Sequence, residues 1–289
     1  MKTDKLTQYS NLSYSNQNNT PYVSFPVLEQ FDFIKHGCST KLGGVSEGIY
    51  ESMNLGFCRG DKEENVFENY RLFCQSLGIN PEHLVFTDQV HKDVIRVVTK
   101  ADQGMGIRWK RSYAEVDGLI TNETNVPLTI FFADCVPILF VDPVKKVIGA
   151  THSGWRGTVK KIGAKTVSRM EQEYQSQPED IIAVIGPCIC KKCYEVSLDV
   201  AHEFASEFTK EQCDLILEKK TCLKENEQKY QLDLWEANRL ILLEAGLLPE
   251  HIIVSELCTM CRCNLFFSHR ATKGQRGSMV GVIMLSEGG

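Results

Sequence analysis

No run in this 289-residue chain is long and apolar enough to cross a bilayer. The most apolar stretch, Leu128 to Val141, is too short for a span and contains Asp134 and Pro137. The opening MKTDKLTQYSNLSYSNQNNT lacks the apolar centre of a signal peptide. These features predict a polar N-terminal arm over residues 1–22 and a cytoplasmic protein. Surplus positive charge is missing too. Lys plus Arg number 32 against 37 Asp plus Glu, a net charge of −5, so no overall field would gather nucleic acid or an anionic membrane. Also absent are a dinucleotide fingerprint, a phosphate loop and a GxSxG elbow.

Hydrophobic residues make up 43% and charged residues 24%, which is ordinary for a globular chain and excludes global disorder. No internal repeat or Pro-rich linker interrupts residues 23–285, so the rest of the chain, 23–289, reads as one domain. Strand and helix patterns mix without strict alternation. The expected class is α/β (mixed α+β), a single compact domain with a mixed β-sheet flanked by helices. The segment YVSFPVLEQFDFIKHG reads as extended, and STKLGGVSEGIYESMNLGF as a long loop. A helix is expected from Glu63 to Leu77, with Asp61 as a cap and Gly78 as the stop. A helix of about twenty residues should begin at Gly157, and another should run through DLWEANRLILLEAG. MVGVIML should form a closing strand.

Twelve cysteines are many for a chain with no export signal, and reduced thiols are the expectation. Cys38, Cys58, Cys74, Cys213 and Cys222 read as small buried residues. Cys188, Cys190 and Cys193, and then Cys258, Cys261 and Cys263, look like half-sites for zinc or an iron–sulfur cluster.

Three residues stand out by context: His91 in TDQVH, Cys135 in FFADC and His152 in ATHSGWRG. Two imidazoles and a thiolate can hold zinc with an open fourth position. Residue types alone leave two other readings: ordinary packing, or a Cys135–His152 nucleophile pair oriented by Asp134.

NLG, QVH, ADC, THSGWRGT, IGPC with CYEV, DLWEANR and CTMCRCNLFFSHR follow one another in this order. In this the chain closely resembles the multicopper polyphenol oxidoreductase or laccase-domain family, in particular its bacterial purine nucleoside phosphorylases, from about His36 to Leu285. The resemblance implies a YfiH-like fold and one catalytic zinc held by His91, Cys135 and His152. It implies phosphorolysis of adenosine, inosine, guanosine and methylthioadenosine, together with deamination of adenosine. The implied partners are a purine nucleoside and phosphate. The alternative is an amidohydrolase editing peptidoglycan precursors at the same site. Copper-dependent phenol oxidation fits poorly, because several histidine-rich copper centres cannot be built from seven histidines.

Arg71 and Arg156 are candidates for phosphate, since guanidinium groups bind it bidentately, and Asn54 for a hydrogen bond to substrate. The competing readings are a solvated helix residue for Arg71, a turn cover for Arg156 and a turn former for Asn54. Cys188, Cys193, Cys258 and Cys261 are common in the family, whereas Cys190 and Cys263 look like extras. The chain also departs from the family after FFS, where His269, Arg270 and Ala271 stand in place of an aromatic residue and paired arginines.

Overall fold

A computed structural model describes residues 12–220 and 228–287. Cys222 and the first half of the expected polar arm lie outside the described residues. In chain order the strands begin with β1 (Ser13–Ser15), β2 (Tyr22–Ser24), β3 (Ile34–Ser39), β4 (Val85–Phe86) and β5 (Ile95–Val97). Next come β6 (Gly118–Thr121), β7 (Leu128–Phe132), β8 (Val136–Asp142), β9 (Val147–Ser153) and β10 (Ile182–Ile185). The last are β11 (Glu195–Ser197), β12 (Leu217–Lys220), β13 (Lys229–Leu232), β14 (Ile252–Val254) and β15 (Met279–Leu285). The helices are α1 (Pro26–Glu29), α2 (Glu63–Leu77), α3 (Trp155–Val159) and α4 (Ile162–Tyr174), then α5 (Leu198–Glu207), α6 (Lys210–Ile216), α7 (Leu234–Glu244) and α8 (His269–Thr272). None is long and apolar enough to cross a membrane.

The strands form three sheets rather than one. The first has the order β1-β2-β3-β15-β7-β4, the second β14-β10-β8-β9-β6-β5, and a small third β11-β13-β12. Parallel and antiparallel pairs occur in both large sheets, so the class is mixed α+β as the sequence predicts.

Alternation along the central strands builds the layers. In β8, Leu139 and Val141 face the core shared by the two large sheets, while Ile138 and Phe140 face the core under α4 and α7. In β15, Met279 and Ile283 face the shared core, and Val280 and Val282 face α2 through Tyr70 and Phe73. The order is helix, sheet, sheet, helix.

Local signals explain α2 and α7. α2 opens with Glu63 and Glu64 at its positive end, and Gly78 closes it in the left-handed region at φ 63°. Asp61 does not cap it: Lys62 holds that position, and Asp61 instead accepts from Ser46 and Asn54. Asp233 caps α7 by accepting from the Glu236 N–H.

Elsewhere tertiary structure overrides the pattern. The long helix expected from Gly157 begins at Trp155 and is two helices, broken where Lys161 adopts φ 57°. The break lets Ile162, Thr166 and Met170 bury on the second sheet while Thr158 in α3 bonds Asn238 of α7. YVSFPVLEQFDFIKHG is not continuously extended, because Pro26 starts α1 between β2 and β3. Ser13–Ser15, read as part of the arm, pairs with Tyr22–Ser24 as an edge strand. Of the cysteines read as buried, Cys38 and Cys74 are buried, Cys213 is half-buried and Cys58 is exposed.

β3 also buries His36, stacked beside Phe25 and accepting the Phe25 N–H at Nε2 (2.9 Å). Burial holds its pKa down at about 4, against 6.5 unperturbed. The unfolded chain therefore binds the proton more tightly. Stability from this group is complete above about pH 6.5 and is lost as pH falls towards 4, by about 3 kcal/mol. Urea unfolding at a series of pH values should show His36→Gln losing less stability than the parent chain across that window. Parallel pH profiles would contradict the assignment.

Candidate active site

The site lies where the chain passes from the first large sheet to the second. β7 ends at Phe132, and a short turn through Asp134 delivers Cys135 at the head of β8. The loop from β4 to β5 carries His91, and β9 carries His152 one residue before its end. The two histidine donors and the Cys135 sulfur lie within 4.8 Å of one another. Cys135 Sγ is 3.9 Å from His91 Nε2, and the imidazole planes cross at 80° with centroids 4.9 Å apart.

Asp117, fully buried just before β6, organises this group. Its Oδ2 accepts the N–H groups of Val90 and Lys92, and its Oδ1 accepts the N–H of His91. These bonds hold His91 in the left-handed region at φ 61°. Oδ1 also accepts His152 Nδ1–H at 2.9 Å, which leaves His152 Nε2 free to meet a metal. Gly154 completes the packing. A Cβ there would stand 2.8 Å from His91 Cδ2 and 3.2 Å from Cys135 Sγ, so only glycine lets both side chains approach.

Electrostatics prepare the thiol. Burial pushes the Cys135 thiol up, but the facing His152 and His91 imidazoles outweigh it and hold it at about 6. Burial pushes His152 down, while Cys135 and Asp117 raise it to about 9. Together these shifts describe a thiolate–imidazolium pair near neutral pH; a metal would take the thiolate and displace the proton on His152 Nε2. Tetrahedral zinc with bonds of about 2.0–2.3 Å needs donors about 3.3–3.8 Å apart, so the set fits a single ion after small adjustments.

His91, Cys135 and His152 share the wall of a cavity of about 940 Å³. His91 is exposed and His152 buried, so the open side of the cluster faces the cavity. The same cavity is lined by the segment from Gly106 to Ala114, which carries Trp109, 59% exposed, and the half-buried Tyr113. Two arginines complete the wall. Arg59 Nε and Arg276 Nη1 both donate to Ser278 Oγ, at 3.2 and 3.1 Å. Neither makes an ion pair among the described residues. Burial lowers the Arg276 pKa to about 10, and Arg59 beside it adds to the effect.

The three predicted ligands thus come together, but the other predicted site residues do not join them. Asn54 is fully buried, donating to Asp61 and accepting the N–H groups of Gly56 and Ser278; it shapes the wall from behind. Arg71 lies on the outer face of α2, its side chain 55% exposed and paired to Glu68. Arg156 is exposed on α3 and stacks on Trp155 at 4.2 Å, off the cavity wall. Asp134 points away from the ligands. It accepts from Thr259 Oγ1, Ser268 Oγ and the Arg270 N–H, which restrains its own left-handed backbone at φ 83°. Sequence reasoning missed Asp117, Arg59 and the placement of Arg276. Asp117 left one clue: a carboxylate beside the apolar strand Gly118–Thr121 must find partners when buried.

Known proteins share this fold and much of this sequence. Residues 35–286 match the family model described as "Multi-copper polyphenol oxidoreductase laccase". The purine nucleoside phosphorylase YlmD of Bacillus subtilis is 38% identical over 99% of this chain and 97% of its own. The crystal structure of the Bacillus licheniformis hypothetical protein YfiH superposes with a TM-score of 0.87 at 35% identity, covering 96% of this chain and all of that one. YlmD from Geobacillus stearothermophilus superposes at 0.82 with 36% identity, over 95% and 99% of the two chains. By sequence match, fold and the order of its motifs, the chain belongs to the multi-copper polyphenol oxidoreductase laccase family.

Proposed function

We propose that the protein is a zinc-dependent purine nucleoside phosphorylase that acts on adenosine, inosine, guanosine and methylthioadenosine and also deaminates adenosine. The observation that carries this reading is the shared cavity: the His91–Cys135–His152 cluster and the Arg59–Arg276 pair open onto the same space. Relatives named as purine nucleoside phosphorylases support the substrate class. Zinc is favoured over several coppers because the two metal-capable clusters among the described residues contain only His91 and His152 as histidines. Bound zinc supplies a Lewis acid beside the substrate.

The protein's own groups do the rest. Arg59 and Arg276, which make no ion pair among the described residues, hold phosphate, so the anion role passes to them from Arg71 and Arg156. Trp109 offers an aromatic face on which a purine ring can stack. Asp117 fixes the His152 tautomer so that Nε2 faces the metal throughout.

The alternative, hydrolysis of a peptidoglycan-precursor amide, draws support from one observation. Cys135, His152 and Asp117 stand in the order of nucleophile, base and orienting carboxylate. Incubation with adenosine, with and without phosphate, followed by chromatography separates the readings. Adenine released only with phosphate, inosine formed without it, and loss of both on chelation are the expected results. Failure to turn over any of the four nucleosides in zinc-loaded protein would overturn the proposal. Cys135-dependent amide cleavage that survives chelation would establish the alternative.

A further inference from the structure

The cysteine-rich segments after β10 and β14 meet in space. Sulfur atoms of Cys190, Cys193, Cys258 and Cys261 all lie within 4.8 Å of one another. Cys193 Sγ is 3.3 Å and Cys190 Sγ 4.0 Å from Cys261 Sγ. The sequence offers several ways to draw four ligands from six cysteines, and the fold selects one. Cys188 is fully buried in the apolar cluster with Ile185, Phe204 and Leu234, and Cys263 is exposed outside the group. Cys190, which looked like an extra, belongs to the set, and Cys188 does not. What remains is two C-x2-C pairs, CKKC and CTMC, one from each segment.

Two further observations point to a single ion. The N–H groups of Cys190 and Cys261 both donate to Cys258 Sγ, each at 3.3 Å. A neutral thiol is a weak acceptor, whereas a thiolate draws charge-assisted donors. The spacing also discriminates. Four sulfurs about 2.3 Å from a tetrahedral zinc lie about 3.8 Å apart, close to the separations here. An iron–sulfur cluster holds its cysteines outside a cage of several atoms and needs them farther apart.

We propose that Cys190, Cys193, Cys258 and Cys261 bind a second, structural zinc ion as a tetrathiolate. This ion ties together the two segments that brace Asp134. From the first, the Ile189 N–H donates to the Asp134 carbonyl (3.1 Å); from the second, Thr259 Oγ1 donates to its carboxylate (2.6 Å). Asp134 immediately precedes Cys135, so the ion fixes the turn that presents the active-site thiol. It takes no part in the reaction, and its existence does not depend on the proposed substrate.

The test is metal content of the full chain purified without oxygen, measured by mass spectrometry. The parent should carry about two zinc ions per chain and Cys135→Ser about one. Cys261→Ser should lose the other ion. Because Cys261→Ser can fail to fold, cobalt in Cys135→Ser gives an independent readout. Strong thiolate-to-cobalt charge-transfer absorption, with the intense ligand-field bands of a tetrahedral four-sulfur site, is expected. A parent chain with a single zinc, all of it lost in Cys135→Ser, would overturn the proposal. So would stoichiometric iron, or a disulfide between Cys193 and Cys261 in the protein as purified.

Discussion

Asp117→Asn is expected to lower kcat/KM for a nucleoside, and zinc affinity at His91, Cys135 and His152, by about 100-fold while leaving the fold intact. Asparagine matches aspartate in shape but has one acceptor oxygen where the native network uses two. If its amide nitrogen occupies the Oδ2 position, it faces the donor N–H groups of Val90 and Lys92. If it occupies the Oδ1 position, it faces the His91 N–H and His152 Nδ1–H. The second arrangement forces His152 to carry its proton on Nε2, the nitrogen needed for metal. Either way the carboxylate charge that steadies His152 is gone. Kinetics, zinc competition with a chelating dye and a thermal melt together give the test. Unchanged zinc affinity and unchanged turnover would remove Asp117 from the site.

His152→Ala should have a still larger effect, a loss of about 1000-fold or more in phosphorolysis and deamination alike, with about one zinc ion per chain released. His152 lies on a paired strand between its register partner Pro137 and the buried Asp117. Arg71→Ala is the matched control. Its guanidinium is spent on Glu68 at the surface of α2, so turnover should stay within about two-fold. Loss of turnover in Arg71→Ala, or its retention in His152→Ala, would move the site elsewhere.

Much of this was legible in the sequence, for reasons that differ from residue to residue. α2 and β15 follow from local signals: an apolar stripe closed by Gly78, and an unbroken apolar run at the chain's end. The break at Lys161 carried no such signal, because it is set by what α3 and α4 pack against and not by a glycine or proline. His91, Cys135 and His152 stood out by context and were grouped through motif resemblance; their spacing says nothing, since strand pairing and the Asp117 hydrogen bonds, not sequence distance, bring them together. Asp117 has no motif of its own. Asn54 misled because a polar residue in a Gly-rich loop reads as available, whereas its amide is fully occupied behind the wall. Cys188 and Cys190 are interchangeable as letters, and only the fold separates them: the first is buried, and the second meets Cys193, Cys258 and Cys261.

The segment Gly106–Ala114 belongs to neither large sheet and supplies none of His91, Cys135 and His152, yet every one of its residues lines the cavity. It is anchored by Arg108 on Glu82 and Arg111 on Asp88. On the proposed function, recognition of the base and assembly of the reactive centre fall to separate stretches of backbone. Grafting a relative's version of this strip onto the same frame should then exchange nucleoside selectivity while leaving His91, Cys135 and His152 in place, which makes it the natural place for selection, or a protein engineer, to retune the enzyme.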